Sequence, residues 1–165
     1  MTDETATLAE SHTEMTEMVL PNDTNTHGRA LGGVVLHWMD VCGAISAMRF
    51  ANEGVVTASM EHVDFKRPID LGEVVVVEAY VYDVGRTSLD IAVEVCAENP
   101  RTDTEHTATT SFFTFVAVDD EGTPTPVPDL ECPTEGERRL REAALDDRAA
   151  QLERLVEEME SYRDR

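Results

Sequence analysis

One helical stretch followed by long β-forming runs, with only turn-length breaks between them, leaves this chain few folds to choose from. From Leu31 onward Val34, Val35, Trp38, Cys42 and Ile45, then Met48 or Arg49, recur at spacings of three and four, the period of a helix face. Gly43, Ala44 and Ala47 allow a neighbouring backbone to come close, and Asn52-Glu53-Gly54 ends the helix, with Gly54 suited to the stop. Val55 to Phe65 then alternates until Pro68 to Gly72 breaks it. Glu73 to Val84 is a Val- and Tyr-rich run closed by Gly85-Arg86, and Thr87 to Ala97 puts Leu89, Ile91, Val93 and Val95 on one face. After the polar break Asn99 to Glu105, Thr107 to Val118 carries Phe112, Phe113 and Phe115. Such strands joined by short turns make an antiparallel sheet. With one helix ahead of most of it, the class is α+β, the helix covering one face.

The flanks are polar. Residues 1–17 are Thr- and Glu-rich and read as a flexible acidic leader without the basic and apolar regions of a signal peptide. Met18-Val19-Leu20 reads as a short strand stopped by Pro21, and Pro21 to Gly33 has loop chemistry. A single domain is expected over 18–120. Residues 121–133, with prolines at 124, 126, 128 and 133, form an extended linker, and 134–165 a charged helical tail. Thr134 and Glu137 have the spacing of a capping box. Leu152, Leu155, Val156 and Met159 form a narrow stripe, suited to packing one side of the helix on the body or on another subunit.

Charge sets the partners. Thirty-four acidic residues face thirteen basic ones, for a net charge of −21, and Lys66 is the only lysine. At molar salt the Debye length falls to about 3 Å and the resulting self-repulsion fades, so acid excess with lysine depletion reads as adaptation to high salt. A nucleic-acid role is disfavoured for want of a basic surface. No apolar run is expected to reach the roughly 20 residues of a bilayer span, and a membrane-surface helix would want a basic polar face. Cys42, Cys96 and Cys132 are odd in number and far apart, which suggests neither disulfides nor a metal site and fits a reducing cytoplasm.

Asp40 lies on the helix face of Leu36, Gly43 and Ala47, behind Gly28, Gly32 and Gly33. Glycines at a helix start leave backbone N–H groups approachable at the positive end of the dipole, where they can stabilise an oxyanion. A carboxylate two turns further can act as general base on water or attack directly. The residues alone describe an acyl-transfer site, or simply an exposed carboxylate.

Spaced motifs go further. Pro21-Asn22-Asp23-Thr24-Asn25-Thr26-His27-Gly28, Gly32-Gly33, Met39-Asp40 and Gly43-Ala44 resemble the acyl-CoA thioesterase family of hotdog proteins. The resemblance continues through Val55-Val56-Thr57, Val63-Asp64-Phe65, Arg67-Pro68, Gly72-Glu73-Val74, Val84-Gly85-Arg86-Thr87-Ser88 and Phe113 to Val118, covering roughly residues 15–140. It implies a single hotdog fold, a long central helix wrapped by a curved antiparallel sheet. It also implies a homo-oligomer, at least a dimer and commonly a trimer of dimers, with acyl-CoA as substrate and no cofactor or metal. The family's catalytic pair corresponds to Asn25 of one subunit and Asp40 of its partner. Gly32, Gly33 and His27 then fall at the thioester, and Thr57, Ser59, Arg67, Gly85, Arg86, Thr87 and Ser88 at coenzyme A.

Family members often have a second Asn where His27 stands, and an acidic residue or Asn where Arg29 stands. Two other readings stay open: a non-catalytic acyl-CoA-binding protein, and an enoyl-CoA hydratase using Asp23 and His27.

Overall fold

In a computed structural model the chain is described from residue 4 to residue 163. In chain order it forms β1 (Thr5–Thr7), α1 (Leu8–Ser11), β2 (Thr13–Met18), a 3-10 turn at Pro21–Asp23, α2 (Gly32–Ala51), β3 (Gly54–Met60), β4 (Val74–Val84), β5 (Ser88–Asn99), β6 (Thr104–Val118), β7 (Asp129–Glu131) and α3 (Glu135–Arg163). Five strands form one antiparallel sheet in the order β2-β4-β5-β6-β3, curled into a half-barrel around α2. This is the expected α+β hotdog arrangement with a charged C-terminal helix.

The strand alternation explains which side curls inward. Val75, Val77, Ala79 and Val81 of β4, Ile91, Val93, Val95 and Ala97 of β5, and Phe113, Phe115 and Ala117 of β6 are almost wholly buried against Val35, Trp38, Met39, Cys42, Ala47 and Phe50 of α2. Gly43 is where helix and sheet come closest, since a Cβ there would meet the Phe115 ring at 3.0 Å. The opposite face of the sheet carries Tyr80, Tyr82, Ala92 and Phe112, and Ala144 of α3 packs on it. Tyr82 and Phe112 meet edge to face at 5.6 Å. α2 does have the length and hydropathy of a bilayer span, contrary to the expectation that no run would qualify. Its apolarity is accounted for by its place inside the sheet, with nine buried residues.

Five expectations need correction. The acidic leader is not a solvated tail where it is described. β2 completes the sheet by pairing with β4, and Leu8, Ser11 and Thr13 are buried. Its polar residues hid this because they are hydrogen-bonded: Ser11 Oγ accepts from Val81 N at 2.9 Å, and the Arg49 guanidinium donates to Thr13 Oγ1 and His12 O. The strand expected at Met18–Leu20 therefore lies earlier. The linker is not simply extended, because its β7 pairs in parallel with β1. α2 ends within the expected Asn52-Glu53-Gly54, but the residue that stops it is Asn52, in the left-handed conformation (φ 53°), and not Gly54. Gly54 opens β3 instead. The run Val55–Phe65 leaves regular strand geometry after Met60, since the next carbonyls are taken by side chains of β6 rather than by a ladder.

Candidate active site

Asp40 sits half-buried two turns into α2, and its Oδ1 accepts a 2.7 Å hydrogen bond from the Thr57 hydroxyl on β3. Thr57 stands opposite Phe115 just before a bulge in the β3–β6 pairing, after which Ser59 faces Thr114. β3 is an edge strand, so both Thr57 and Ser59 are exposed. One carboxylate oxygen is thus fixed by a hydroxyl donor, and the other is left to accept from water.

The loop ahead of α2 is closed by its own backbone. Thr24 bridges Ala30 and Arg29 bridges Asp70, while Gly28, at φ 70°, makes the turn that an L side chain resists. Asn25 Oδ1 accepts from His27 N at 2.9 Å and Arg29 N at 3.2 Å. That fixes the orientation of the amide: its oxygen is engaged in the loop, and its NH2 is the end offered outward. The Asp23 carboxylate accepts from Leu20 N at 2.9 Å and caps the 3-10 turn, a structural task. No hydrogen bond joins Asp23 to His27, whose ring is exposed, or Asn25 to Asp40 within one chain.

α2 begins without a side-chain cap. Leu31, at the N-cap, offers none, and the N–H groups of Gly32 and Gly33 have no partner among the described residues. A Cβ on Gly32 would touch the Phe65 ring at 3.4 Å, whereas Gly33 is open. Phe65 therefore borders the helix start, a neighbour that the Val63-Asp64-Phe65 motif did not reveal.

The turn between β4 and β5 is tight. Gly85 N donates to Ser88 O, and a Cβ on Gly85 would meet Ser88 Oγ at 2.5 Å. Thr87 O accepts from Ala117 N and Arg86 O from Val127 N, which pins the turn against neighbouring chain. The Arg86 and Arg67 side chains are exposed, and neither forms an ion pair. In a chain with 34 acids this is informative, for Arg141 and Arg148 are both engaged by carboxylates. Lys66 shares this freedom with Arg67.

Nothing here offers a thiolate nucleophile. All three cysteines are free, and burial raises each thiol, Cys42 to about 12. No group of three metal-binding side chains occurs among the described residues. Two cavities, of about 280 and 200 Å³, lie between α3 and the outer face of the sheet, and neither is lined by Asn25, Asp40 or Thr57.

Residues 27–104 match the Thioesterase superfamily. Over 144 residues, 87% of this chain and 84% of the relative, the sequence is 41% identical to a Bacillus subtilis (strain 168) protein described as an uncharacterized acyl-CoA thioester hydrolase, YkhA. The chain belongs to the acyl-CoA thioester hydrolase family. Solved structures agree with this placement of the thioesterase. An apo hexameric acyl-CoA thioesterase superposes with a TM-score of 0.81 at 41% identity, covering 92% of this chain and 97% of the other. The Staphylococcus aureus acyl-CoA hydrolase, solved with butyryl coenzyme A, coenzyme A and coenzyme A disulfide, gives 0.80 at 31% identity, covering 95% and 96%.

Proposed function

We propose that this thioesterase hydrolyses acyl-CoA to a free acid and coenzyme A, with Asp40 as general base and Asn25 of another subunit as the hydrogen-bond donor to the thioester oxygen. The Thr57–Asp40 hydrogen bond carries the reading, because it holds a half-buried carboxylate in one orientation with one oxygen free. Water donates its proton to that oxygen as it attacks the thioester carbon. The carbonyl oxygen gains negative charge and is met by the outward-facing amide of Asn25, with the open N–H groups of Gly32 and Gly33 as further donors. Collapse breaks the C–S bond, and the coenzyme A sulfur leaves with the proton held by Asp40. The step needs only water, so no cofactor is invoked.

The Staphylococcus aureus relative has been solved with an asparagine, an aspartate and a threonine each replaced by alanine. Those three are spaced 15 and 17 residues apart in order, as Asn25, Asp40 and Thr57 are here. A site shared between subunits fits the open edge of β3 beside Asp40 and the hexameric relative. We therefore place the active form as a trimer of dimers. Arg67 and Arg86, free of acidic partners, are assigned to the coenzyme phosphates. His27, Ser59, Gly85, Thr87 and Ser88 line the path between. Free cysteines and a coenzyme A substrate fit the cytoplasm.

The experiment is Asp40→Asn, assayed on a panel of acyl-CoAs in molar KCl. Turnover should fall by about a hundredfold or more while the oligomer and its circular dichroism persist. An undiminished kcat in the folded variant removes Asp40 from the chemistry.

A further inference from the structure

We infer that the C-terminal helix α3 positions the substrate-facing segment 61–67 through Arg148, which makes Arg148 a positioning residue for coenzyme A binding. The inference rests on the reading above that Arg67 contacts the coenzyme and that Phe65 borders the thioester end of α2.

The segment departs from strand geometry after Met60, yet it is held on both sides. From β6, Glu61 N and Lys66 N donate to Phe112 O and Ala108 O, both at 2.9 Å. Ser111 Oγ donates to the carbonyls of Glu61 and His62, and Thr109 Oγ1 to that of Asp64 at 2.7 Å. These two hydroxyl residues are wholly buried, so they are committed to the segment. From α3, Arg148 Nη2 and Nε donate to Glu61 Oε1 at 2.6 and 3.1 Å, and Gln151 Nε2 donates to His62 O at 3.1 Å. Arg148 Nη1 also lies 3.5 Å from Asp90 Oδ2 on β5. One guanidinium therefore ties the segment to a strand and to the helix at once. The Glu61 and Asp90 side chains are only 18% and 22% exposed, so without Arg148 two poorly hydrated carboxylates would face each other.

The rest of α3 has its own anchors. Glu137 accepts from Ala9 N, Arg141 bonds Tyr82 O and Asp83, and Ala144 is buried. Loss of Arg148 should thus loosen the segment on its α3 side without releasing the helix. At the segment's far end, the Phe65 ring lies against Gly32 and Arg67 points free. Repulsion between Glu61 and Asp90 would shift both.

The test compares wild type, Arg148→Met, Arg148→Lys and Arg67→Ala for kcat and KM on one acyl-CoA, with amide exchange of residues 61–66 measured in parallel. Arg148→Met should raise KM about tenfold, with kcat within threefold, and speed exchange at Lys66. Arg148→Lys, which restores charge without the planar fork, should recover part of the affinity. Unchanged exchange in Arg148→Met overturns the positioning role, whatever the kinetics. Faster exchange with unchanged KM overturns its link to substrate. Arg67→Ala and wild-type turnover report separately on the assignment of coenzyme contacts and of activity, so failure there is distinguishable from failure of Arg148.

Discussion

Thr57 has one hydroxyl to give, and it gives it to Asp40. Thr57 can serve the reaction by orienting the base or serve binding by touching coenzyme A, and kinetics separates the two. Thr57→Val keeps the shape and removes the donor. A hydrogen bond to a charged acceptor contributes about 1.5–3 kcal/mol, so kcat should fall roughly tenfold or more with KM little changed. Thr57→Ser should restore it. A rise in KM alone would assign Thr57 to the coenzyme. The sequence showed Asp40 as an acid on a small-residue helix face, and the family motifs singled out Asn25. It could not show which end of the Asn25 amide faces outward, because that depends on the backbone donors of His27 and Arg29. Nor could it join Thr57 to Asp40, since that bond forms only when a strand edge folds back on the helix.

Among elements, α2 and the strands β4, β5 and β6 were legible because each buries one face and its side chains keep the matching period. The leader looks solvated in the sequence for the opposite reason. Two of its three buried positions, Ser11 and Thr13, are polar and belong inside only because Val81 and Arg49 meet them. After Met60 the side chains still alternate as in a strand, although the carbonyls answer to Ser111 and Thr109. The start of α3 followed its capping box: Thr134 and Glu137 exchange the expected bonds. The Thr134 hydroxyl, followed by the Thr134 and Ala9 backbone N–H groups, lowers the Glu137 carboxyl below the usual glutamate range. A lowered carboxylate adds stability that is present above the unfolded value and lost as pH falls through the folded one. In a pH series of Tm, wild type should exceed Glu137→Gln at neutral pH, and the gap should close below about pH 4. A constant gap would mean that the carboxylate's charge is irrelevant there.

For the whole molecule, charge dominates. A subunit at −21 that assembles with copies of itself concentrates repulsion, and only screening relieves it. On dialysis toward 50 mM salt the oligomer should dissociate or lose structure, as light scattering and circular dichroism would report; unchanged assembly would speak against salt adaptation. Coenzyme A is itself a polyanion, so KM should hold or fall as KCl rises across the range where the oligomer is intact. A KM climbing steadily with salt would mean that attraction to Arg67 and Arg86 outweighs the long-range field. The pairing of β1 with β7 has a temporal consequence. It joins Thr5 to Asp129 and so encloses nearly the whole domain in a single loop. Closing so long a loop costs entropy that three residues of parallel ladder repay poorly until the rest is in place. On a ribosome β1 must wait for β7, and the emerging chain keeps Thr5–Thr7 unpaired until Asp129–Glu131 has been made.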